Sequence, residues 1–411
     1  VDTLKVRDAK DVEEVVRAAV AGEQPLEVIG HGSKRAIGHP MATNALLDVS
    51  ALNAVSSYEP NELIISVQAG APLADVQSLI DAKNQQFAFE PMDTSVLLGT
   101  AGAGTIGGMI GAGLAGPRRI KAGGIRDHLL GAHAVSGFGD SFKTGGRVVK
   151  NVTGYDLCKL LAGSWGTLAV MTEVTLKVMP KPEAERTLVL RGLDDATANK
   201  AMTAALGSPF DVSGAAHLPG SALRSGGGAL AGLAAGQPVT LVRLEGISAS
   251  AAHRAASLSQ TLSAYGTVDS LADDASAAIW SALRDVAPFA ANGALGAWPV
   301  WRIVCPPASG GALGQALSRA TGGDVIYDWG GGLIWAAVPP GADAQATLVR
   351  GQVEAIGGHA TLIRATEDVR RAVDVFQPQA AGLAALGERV RASFDPRSVL
   401  NRGRMMRGGA A

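Results

Sequence analysis

The sequence predicts an α+β protein of two or more domains. Three observations predict it: the chain's length, a mixture of helix-period and strand-like stretches in its first part, and the glycine-punctuated hairpin patterns that follow them. A chain of 411 residues exceeds the roughly 250–300 residues at which a single hydrophobic core stops growing. With 47% apolar and 18% charged residues, it has the composition of a core-forming chain, and disorder is not expected.

Residues 8–22 place Val12, Val15, Val16, Ala19 and Val20 at helical spacing and stop at Gly22, the pattern of an amphipathic helix. Residues 25–30 read as a short strand running into the turn Gly30-His-Gly-Ser-Lys-Arg35, and residues 46–49 and 63–67 as further strands. Pro72 opens a helix through Asp81 with Leu73, Val76, Leu79 and Ile80 apolar. Residues 129–135 and 140–149, separated by Gly137-Phe-Gly-Asp140, have hairpin character. A short helix is expected over 156–161, an exit turn at 163–166 and a long strand over 167–178. Pro180-Lys-Pro182 then breaks the pattern and sets the first domain boundary. Beyond it lies an alanine-rich region with helix candidates at 194–206, 249–265 and 341–356. Strand candidates there are 238–244, 301–304 and 333–338, which suit a smaller α+β unit. Phe394–Arg404 is expected to end the ordered chain, ahead of a loose tail.

Charge and cysteine content exclude several classes of partner. With 36 basic and 37 acidic residues, the chain offers no broad attraction to nucleic acid or to an anionic membrane surface. Two cysteines, Cys158 and Cys305, make neither a disulfide framework nor a multi-cysteine metal site, and a reducing compartment fits best. No basic stretch followed by an apolar one opens the sequence, so secretion is not expected. Residues 96–116 are uncharged and could mimic a membrane span, but eight of them are glycine. Each glycine costs a helix interior about 1 kcal/mol relative to alanine, so this segment reads as backbone-rich loop and no membrane span is expected.

Two segments have the composition of a phosphate cradle, since small residues let successive backbone N–H groups converge on an anion. They are Gly30–Lys34, directly after a strand, and the span Gly99–Gly108. Gly102-x-Gly104-x-x-Gly107 and Gly111-x-Gly113-x-x-Gly116 both match the Rossmann fingerprint, with Asp127 about 20 residues on. Two matches so close together show that the pattern is cheap in glycine-rich sequence. No helical run follows Gly116, which is succeeded by Pro117-Arg-Arg119. No HExxH, Gly-x-Ser-x-Gly or GxxxxGK[ST] occurs, so zinc-protease, serine-hydrolase and P-loop chemistry lack support, and no metal site is assigned. Arg118, Arg119, Lys121 and Arg126 form the best local cluster for an anionic ligand or partner, with a solvated loop as the plainer reading. Cys158 reads as plain packing.

Taken together, an ordered series of motifs resembles the PCMH-type FAD-binding domain of the vanillyl-alcohol oxidase superfamily. The motifs are Val28-Ile-Gly-His-Gly-Ser33, Val67-Gln-Ala-Gly-Ala-Pro72, Gly104-Thr-Ile-Gly-Gly-Met109 and Gly124-Ile-Arg-Asp127. They continue with Val149-Lys-Asn-Val-Thr-Gly-Tyr-Asp-Leu157, Gly163-Ser-Trp-Gly-Thr-Leu168 and the closing Phe394-Asp-Pro396 with Asn401-Arg-Gly-Arg404. Within the superfamily, the Lys-Asn-Val-Thr-Gly-Tyr-Asp run is most similar to the small FAD-binding subunits of bacterial glycolate oxidases.

The resemblance implies an α+β architecture: a PCMH-type FAD-binding domain of two α/β subdomains over 1–182, a smaller α+β cap with an antiparallel sheet over 183–385, and a C-terminal segment, 386–411, returning to the FAD domain. It implies that Gly30, His31, Gly32, Ser33 and Lys34 hold the pyrophosphate, and that Thr105, Ile106, Gly107 and Gly108 hold the pyrophosphate and the flavin edge. Gly163, Ser164, Gly166, Thr167 and Leu168 would hold the dinucleotide further along, with Asp127, Gly154, Tyr155 and Asp156 also at the cofactor. Relatives that tether their flavin at this loop place a histidine after paired glycines, whereas His31 lies between Gly30 and Gly32, so the FAD is expected to be non-covalent. The implied partners are a larger homologous flavin subunit and an iron-sulfur subunit, acting on a small 2-hydroxy acid in the cytoplasm or peripherally at the inner membrane through the complex.

The sequence departs from the larger D-2-hydroxy acid dehydrogenases of the superfamily. Those carry a His-x-Gly-Asp-Gly-Asn-x-His strand and a Glu-His-Gly segment for metal and substrate, and neither occurs here. The nearest counterpart, Asp328-Trp-Gly-Gly-Gly-Leu-Ile-Trp335, has lost both histidines, so no catalytic residue is assigned. A stand-alone flavin oxidase or dehydrogenase, and a degenerate homologue acting only as a structural partner, are the alternatives.

Overall fold

A computed structural model describes residues 1–43, 45–148, 155–225, 227–233 and 237–406. The helix Ala9–Ala21 starts where the Asp8 carboxylate accepts a hydrogen bond from the Asp11 N–H at 2.9 Å, satisfying one of the otherwise unpaired first-turn donors. It buries Val12, Val16 and Ala19 and covers a parallel sheet ordered Asp2–Lys5, Ala45–Asp48, Leu26–Ile29. The outer edge of Leu26–Ile29 is closed by the far end of the chain. The Leu26 N–H donates to the Val399 carbonyl at 2.7 Å, and the Asn401 N–H to the Leu26 carbonyl at 2.9 Å.

A five-stranded antiparallel sheet follows, ordered Val55–Glu59, Ile64–Gln68, Ala169–Lys177, Leu129–Ser136, Ser141–Gly145. The helices Leu73–Asp81 and Ile106–Ala112 contribute their apolar side chains to its core. The rest of the chain builds an eight-stranded antiparallel sheet ordered Val268–Ala272, Ala184–Arg191, Val239–Gly246, Val212–Leu218, Asp324–Asp328, Leu333–Ala337, Val300–Val304, His359–Arg364. Its two halves meet through one residue pair, His217 opposite Tyr327. Alternate side chains divide between two faces. Leu188, Leu190, Val242 and Leu244 pack under the helices Asp195–Leu206 and Ser248–Leu262. Val189, Leu241, Ile326 and Trp335 face the N-terminal part and share a core with its Ile37, Leu97, Leu114 and Trp165.

The expected helices and strands form with ends shifted by a few residues, for example Ser248–Leu262 and Ala346–Glu354; of the hairpin, Val149 lies outside the described residues. Several elements escape sequence periodicity. Every residue of the strand Val212–Leu218 is buried, which erases the alternation that marks a half-exposed strand. The structure also adds the helices Asp273–Arg284, Gly310–Thr321 and Ala381–Phe394 to the expected set; the first two bury residues at helical spacing, Ile279, Trp280 and Leu283 in one and Leu313 and Leu317 in the other.

The glycine-rich segment corrects the loop expectation most clearly, because it contains the helices Thr94–Leu98 and Ile106–Ala112. Packing overrides propensity here. Ile106, Met109 and Ile110 are buried, and a Cβ on Gly107 would lie 2.9 Å from Ala69, so glycine lets the helix backbone rest on the neighbouring chain. Among the described residues no helix is long and apolar enough to cross a membrane.

The basic cluster is largely engaged at the junction with the large sheet. Arg118 makes a bidentate pair with Glu245 at 2.8 and 3.0 Å, and Arg243 pairs with Glu90 at 2.8 and 3.0 Å. Lys121 pairs with Asp211, and the Arg119 guanidinium lies 4.5 Å from the centre of the Trp329 ring. Burial opposes ionisation of Glu245, but Arg243 and Arg118 outweigh it and hold the carboxyl at about 2.

The stability conferred by this carboxylate is therefore full above its unfolded pKa near 4.5 and is lost as pH falls toward 2. Arg243→Met leaves Glu90 without its bidentate partner, and breaking such a buried pair costs about 3–5 kcal/mol. The expected outcome is a lowered midpoint of chemical denaturation at pH 7, with a smaller difference from the parent protein at pH 3.

Candidate cofactor site

The cleft of interest lies where the strand Leu26–Ile29 ends, at the junction of the parallel sheet, the helix Ile106–Ala112, the turn at Trp165–Gly166 and the C-terminal segment. It is lined by Gly30, His31, Gly32, Ser33, Lys34, Thr105, Gly107, Gly108 and Gly166, among others. The two predicted cradle segments thus face one space. Their contact demands glycine: a Cβ on Gly30 would lie 2.6 Å from Thr105 Oγ1, and one on Gly104, at φ +91°, would lie 2.2 Å from Ser33 Oγ. Thr105 caps the helix by accepting from the Gly108 N–H at 3.2 Å.

The other predicted positions are placed differently. Ile106 is fully buried in the core beneath the cleft. Gly163, Ser164, Thr167 and Leu168 stand behind the wall and shape it. The Gly163 N–H donates to the Ile110 carbonyl at 3.0 Å, Ser164 Oγ to the Leu161 carbonyl at 2.9 Å, and Thr167 Oγ1 to the Ser164 carbonyl at 2.7 Å. Leu168 is a core residue. These contacts hold Trp165, at φ +54°, with its N–H on the Gly111 carbonyl at 2.9 Å. Asp127 does not line the cleft; its carboxylate accepts from the Gly124 N–H at 2.8 Å and closes the first turn of the helix Ile125–His128. Tyr155 is 91% exposed, Asp156 sits near Lys159 at 3.9 Å, and Gly154 lies outside the described residues.

Sequence reading missed part of the wall. Asn401 bridges two sides of the cleft, accepting from the Val28 N–H at 2.8 Å and donating to the Trp165 carbonyl at 2.7 Å. Arg404 donates to the Lys34 carbonyl at 2.7 Å and lies 5.4 Å from the Trp165 ring centre. The signal that could have found them was the closing Asn401-Arg-Gly-Arg404 motif, whose polar side chains had no other assignment.

Electrostatically the cleft is cationic. Among the described residues no Asp or Glu lines it, while Lys34 and Arg404 do, and both are buried. Arg35, also on the wall, is already paired with Glu27 at 2.6 Å. Burial pushes the Lys34 ammonium down to about 8 and the Arg404 guanidinium down to about 10, and Arg404 Nε has no hydrogen-bond partner among the described residues. Buried cations without a carboxylate are costly unless an anion completes the site. A glycine-walled cleft with two such cations fits the pyrophosphate of FAD.

Comparison with known proteins agrees. Residues 3–145 match the FAD binding domain and residues 183–318 the C-terminal domain of FAD linked oxidases. The chain is 38% identical over 175 residues to the Escherichia coli (strain K12) protein named glycolate oxidase subunit GlcE, a match covering 43% of this chain and 48% of that one. It is 29% identical over 184 residues to Bacillus subtilis (strain 168) glycolate oxidase subunit GlcD, covering 44% and 38%. These matches span half or less of the curated relatives' lengths. In fold the chain is similar to p-cresol methylhydroxylase, with a TM-score of 0.73 at 14% identity over 98% of this chain and 88% of that one. It is also similar to alkyldihydroxyacetonephosphate synthase, with a TM-score of 0.68 at 15% identity over 97% and 76%.

Gly104→Ala adds a methyl group where φ is positive and Ser33 is in the way, at a cost of about 1–3 kcal/mol. The purified variant is expected to bind FAD roughly ten- to a hundredfold more weakly, measured by its flavin absorbance relative to protein. The chain thus carries an FAD binding domain followed by a C-terminal domain of FAD linked oxidases, on a PCMH-type fold, and has FAD as its cofactor.

Proposed function

We propose that this chain is the FAD-bearing small subunit of a multi-subunit oxidase or dehydrogenase that converts a small 2-hydroxy acid, glycolate, to its 2-oxo acid, glyoxylate. Its partners are a larger homologous flavin subunit and an iron-sulfur subunit, in the cytoplasm or attached to the inner membrane through the complex. Relatives named as glycolate oxidase subunits, D-lactate dehydrogenase and D-2-hydroxyglutarate dehydrogenase support the substrate class.

Bound FAD supplies two-electron chemistry and can pass electrons onward. Gly30–Lys34 and Thr105–Gly108 hold its pyrophosphate without a covalent link through His31. Trp165, Asn401 and Arg404 close the wall and exclude water. Ser164, Thr167 and Leu168 keep the Trp165–Gly166 turn in place from behind.

The observation that carries the non-autonomous reading is the segment Asp328–Trp335. Where the larger dehydrogenases resembled by this chain place the two histidines, this sequence has Asp328 and Trp335, both buried, and the adjacent Trp329 is wedged between the large sheet and the N-terminal part. Its indole N–H donates to the Gly116 carbonyl at 3.1 Å, and the Arg119 and Arg302 guanidiniums lie 4.5 and 5.2 Å from its ring centre. Apolar side chains from both parts fill the space around it. The Trp335 indole supplies no base for a hydroxyl proton, and the Asp328 carboxyl, pushed up to about 7 by burial, is enclosed beneath this packing and accepts from the Trp329 N–H at 2.7 Å.

The isolated chain is therefore expected to oxidise glycolate with an artificial acceptor more than about a hundredfold more slowly than the complete complex, and to co-purify with an iron-sulfur protein. Steady-state rates of the two preparations decide it. Turnover by the isolated chain at the rate of the complex would overturn the assignment in favour of an autonomous oxidase.

A further inference from the structure

We infer that Lys34 is a proton-coupled counter-charge for the FAD pyrophosphate, so that binding of the cofactor fixes a proton on Nζ. The inference rests on the reading of Gly30–Lys34 as part of the FAD site and specifies what this side chain does there.

The geometry sets the ammonium between the two glycine segments. Nζ donates to the Ala103 carbonyl at 2.8 Å and to Ser33 Oγ at 3.3 Å. An ammonium has three donors, and the third has no partner among the described residues. A Cβ on Gly104 would lie 3.2 Å from Nζ, so the backbone of the second segment passes directly over the charge. Both acceptors that hold it are neutral.

The charged groups around Lys34 do not neutralise it. Arg404, from the C-terminal segment, opposes its protonation, and Asp93, at the start of the helix Thr94–Leu98, favours it less strongly than burial disfavours it. The Asp93 carboxylate is itself engaged with the Ser95 N–H at 2.9 Å. On its own loop, Arg35 is paired with Glu27 and His31 is exposed. The result is a desolvated amine that titrates at about 8, within reach of a ligand carrying two phosphate charges. Those charges favour the ammonium form, so the pKa rises when FAD binds.

Linkage gives the direction of the effect. When a ligand raises a group's pKa, affinity is fully present below the free-state value, here about 8, and is lost as pH rises toward the bound-state value. The loss approaches about tenfold per pH unit for one coupled proton.

The test uses FAD-free full-length protein, titrated with FAD from pH 7 to 9.5 by flavin fluorescence. Calorimetry at pH 9, in two buffers of different ionisation enthalpy, counts protons. The parent protein is expected to weaken above pH 8 and to take up close to one proton. Lys34→Arg should bind FAD independently of pH and take up no proton. Lys34→Met should bind at least about tenfold more weakly at pH 7, also without pH dependence. His31→Gln should keep the pH dependence of the parent.

FAD binding by the parent protein that is flat from pH 7 to 9.5, with no proton uptake, overturns the role of Lys34 and leaves the FAD site standing. Failure of the parent protein to bind FAD overturns the site as well. If Lys34→Met does not fold, the proton count on the parent protein still decides.

Discussion

The close approach of two glycine-bearing backbones is the constraint on which the site depends. Gly30 rests against Thr105, Gly104 against Ser33, and Gly107 against Ala69, each at a distance that a Cβ would make impossible. This contact joins the end of the parallel sheet to the helix Ile106–Ala112, which in turn packs on the five-stranded sheet. The N–H groups of Ile106, Gly107 and Gly108 are engaged with Ala71, Ala69 and Thr105, so what the contact leaves along this side of the cleft is a glycine surface free of side chains. The same glycines that weaken the helix locally therefore bring the two layers together.

Buried arginines and lysines have two different electrostatic settings in this protein. At the junction with the large sheet, Arg118 and Arg243 face Glu90 and Glu245 in bidentate geometry, and the charges neutralise one another. Such a lattice specifies how the layers dock more than it adds net stability, because desolvation offsets most of the Coulomb attraction. In the cleft, among the described residues, Lys34 and Arg404 hydrogen-bond only to neutral groups, with Asp93 and Glu27 acting on them without a direct ion pair. That difference separates a structural ion pair from a site waiting for an anion, although both consist of buried basic side chains.

The two halves of the large sheet meet at a single pair, His217 and Tyr327, braced by the Tyr327 hydroxyl donating to Asp195 at 2.6 Å. Directly after that strand comes Trp329, wedged against Gly116 and Arg119. The sheet is thus anchored to the N-terminal part through an indole hydrogen bond and a guanidinium-ring contact.

The sequence by itself determined the elements with a clean period and the two cradle segments. Helix Ala9–Ala21, strand Ala169–Lys177 and the glycines at 30, 32, 107 and 108 were legible because local patterning and local backbone freedom specify them. Tertiary structure alone decided what depends on contacts between distant segments. It made a helix of Ile106–Ala112 and a strand of the uniformly buried Val212–Leu218, and it set the Asp127 carboxylate on the Gly124 N–H at the start of a helix. It also brought Asn401 and Arg404 some 370 residues along the chain to Val28 and Lys34. Burial, charge isolation and close backbone contact are properties of the assembled chain, and no window of sequence contains them.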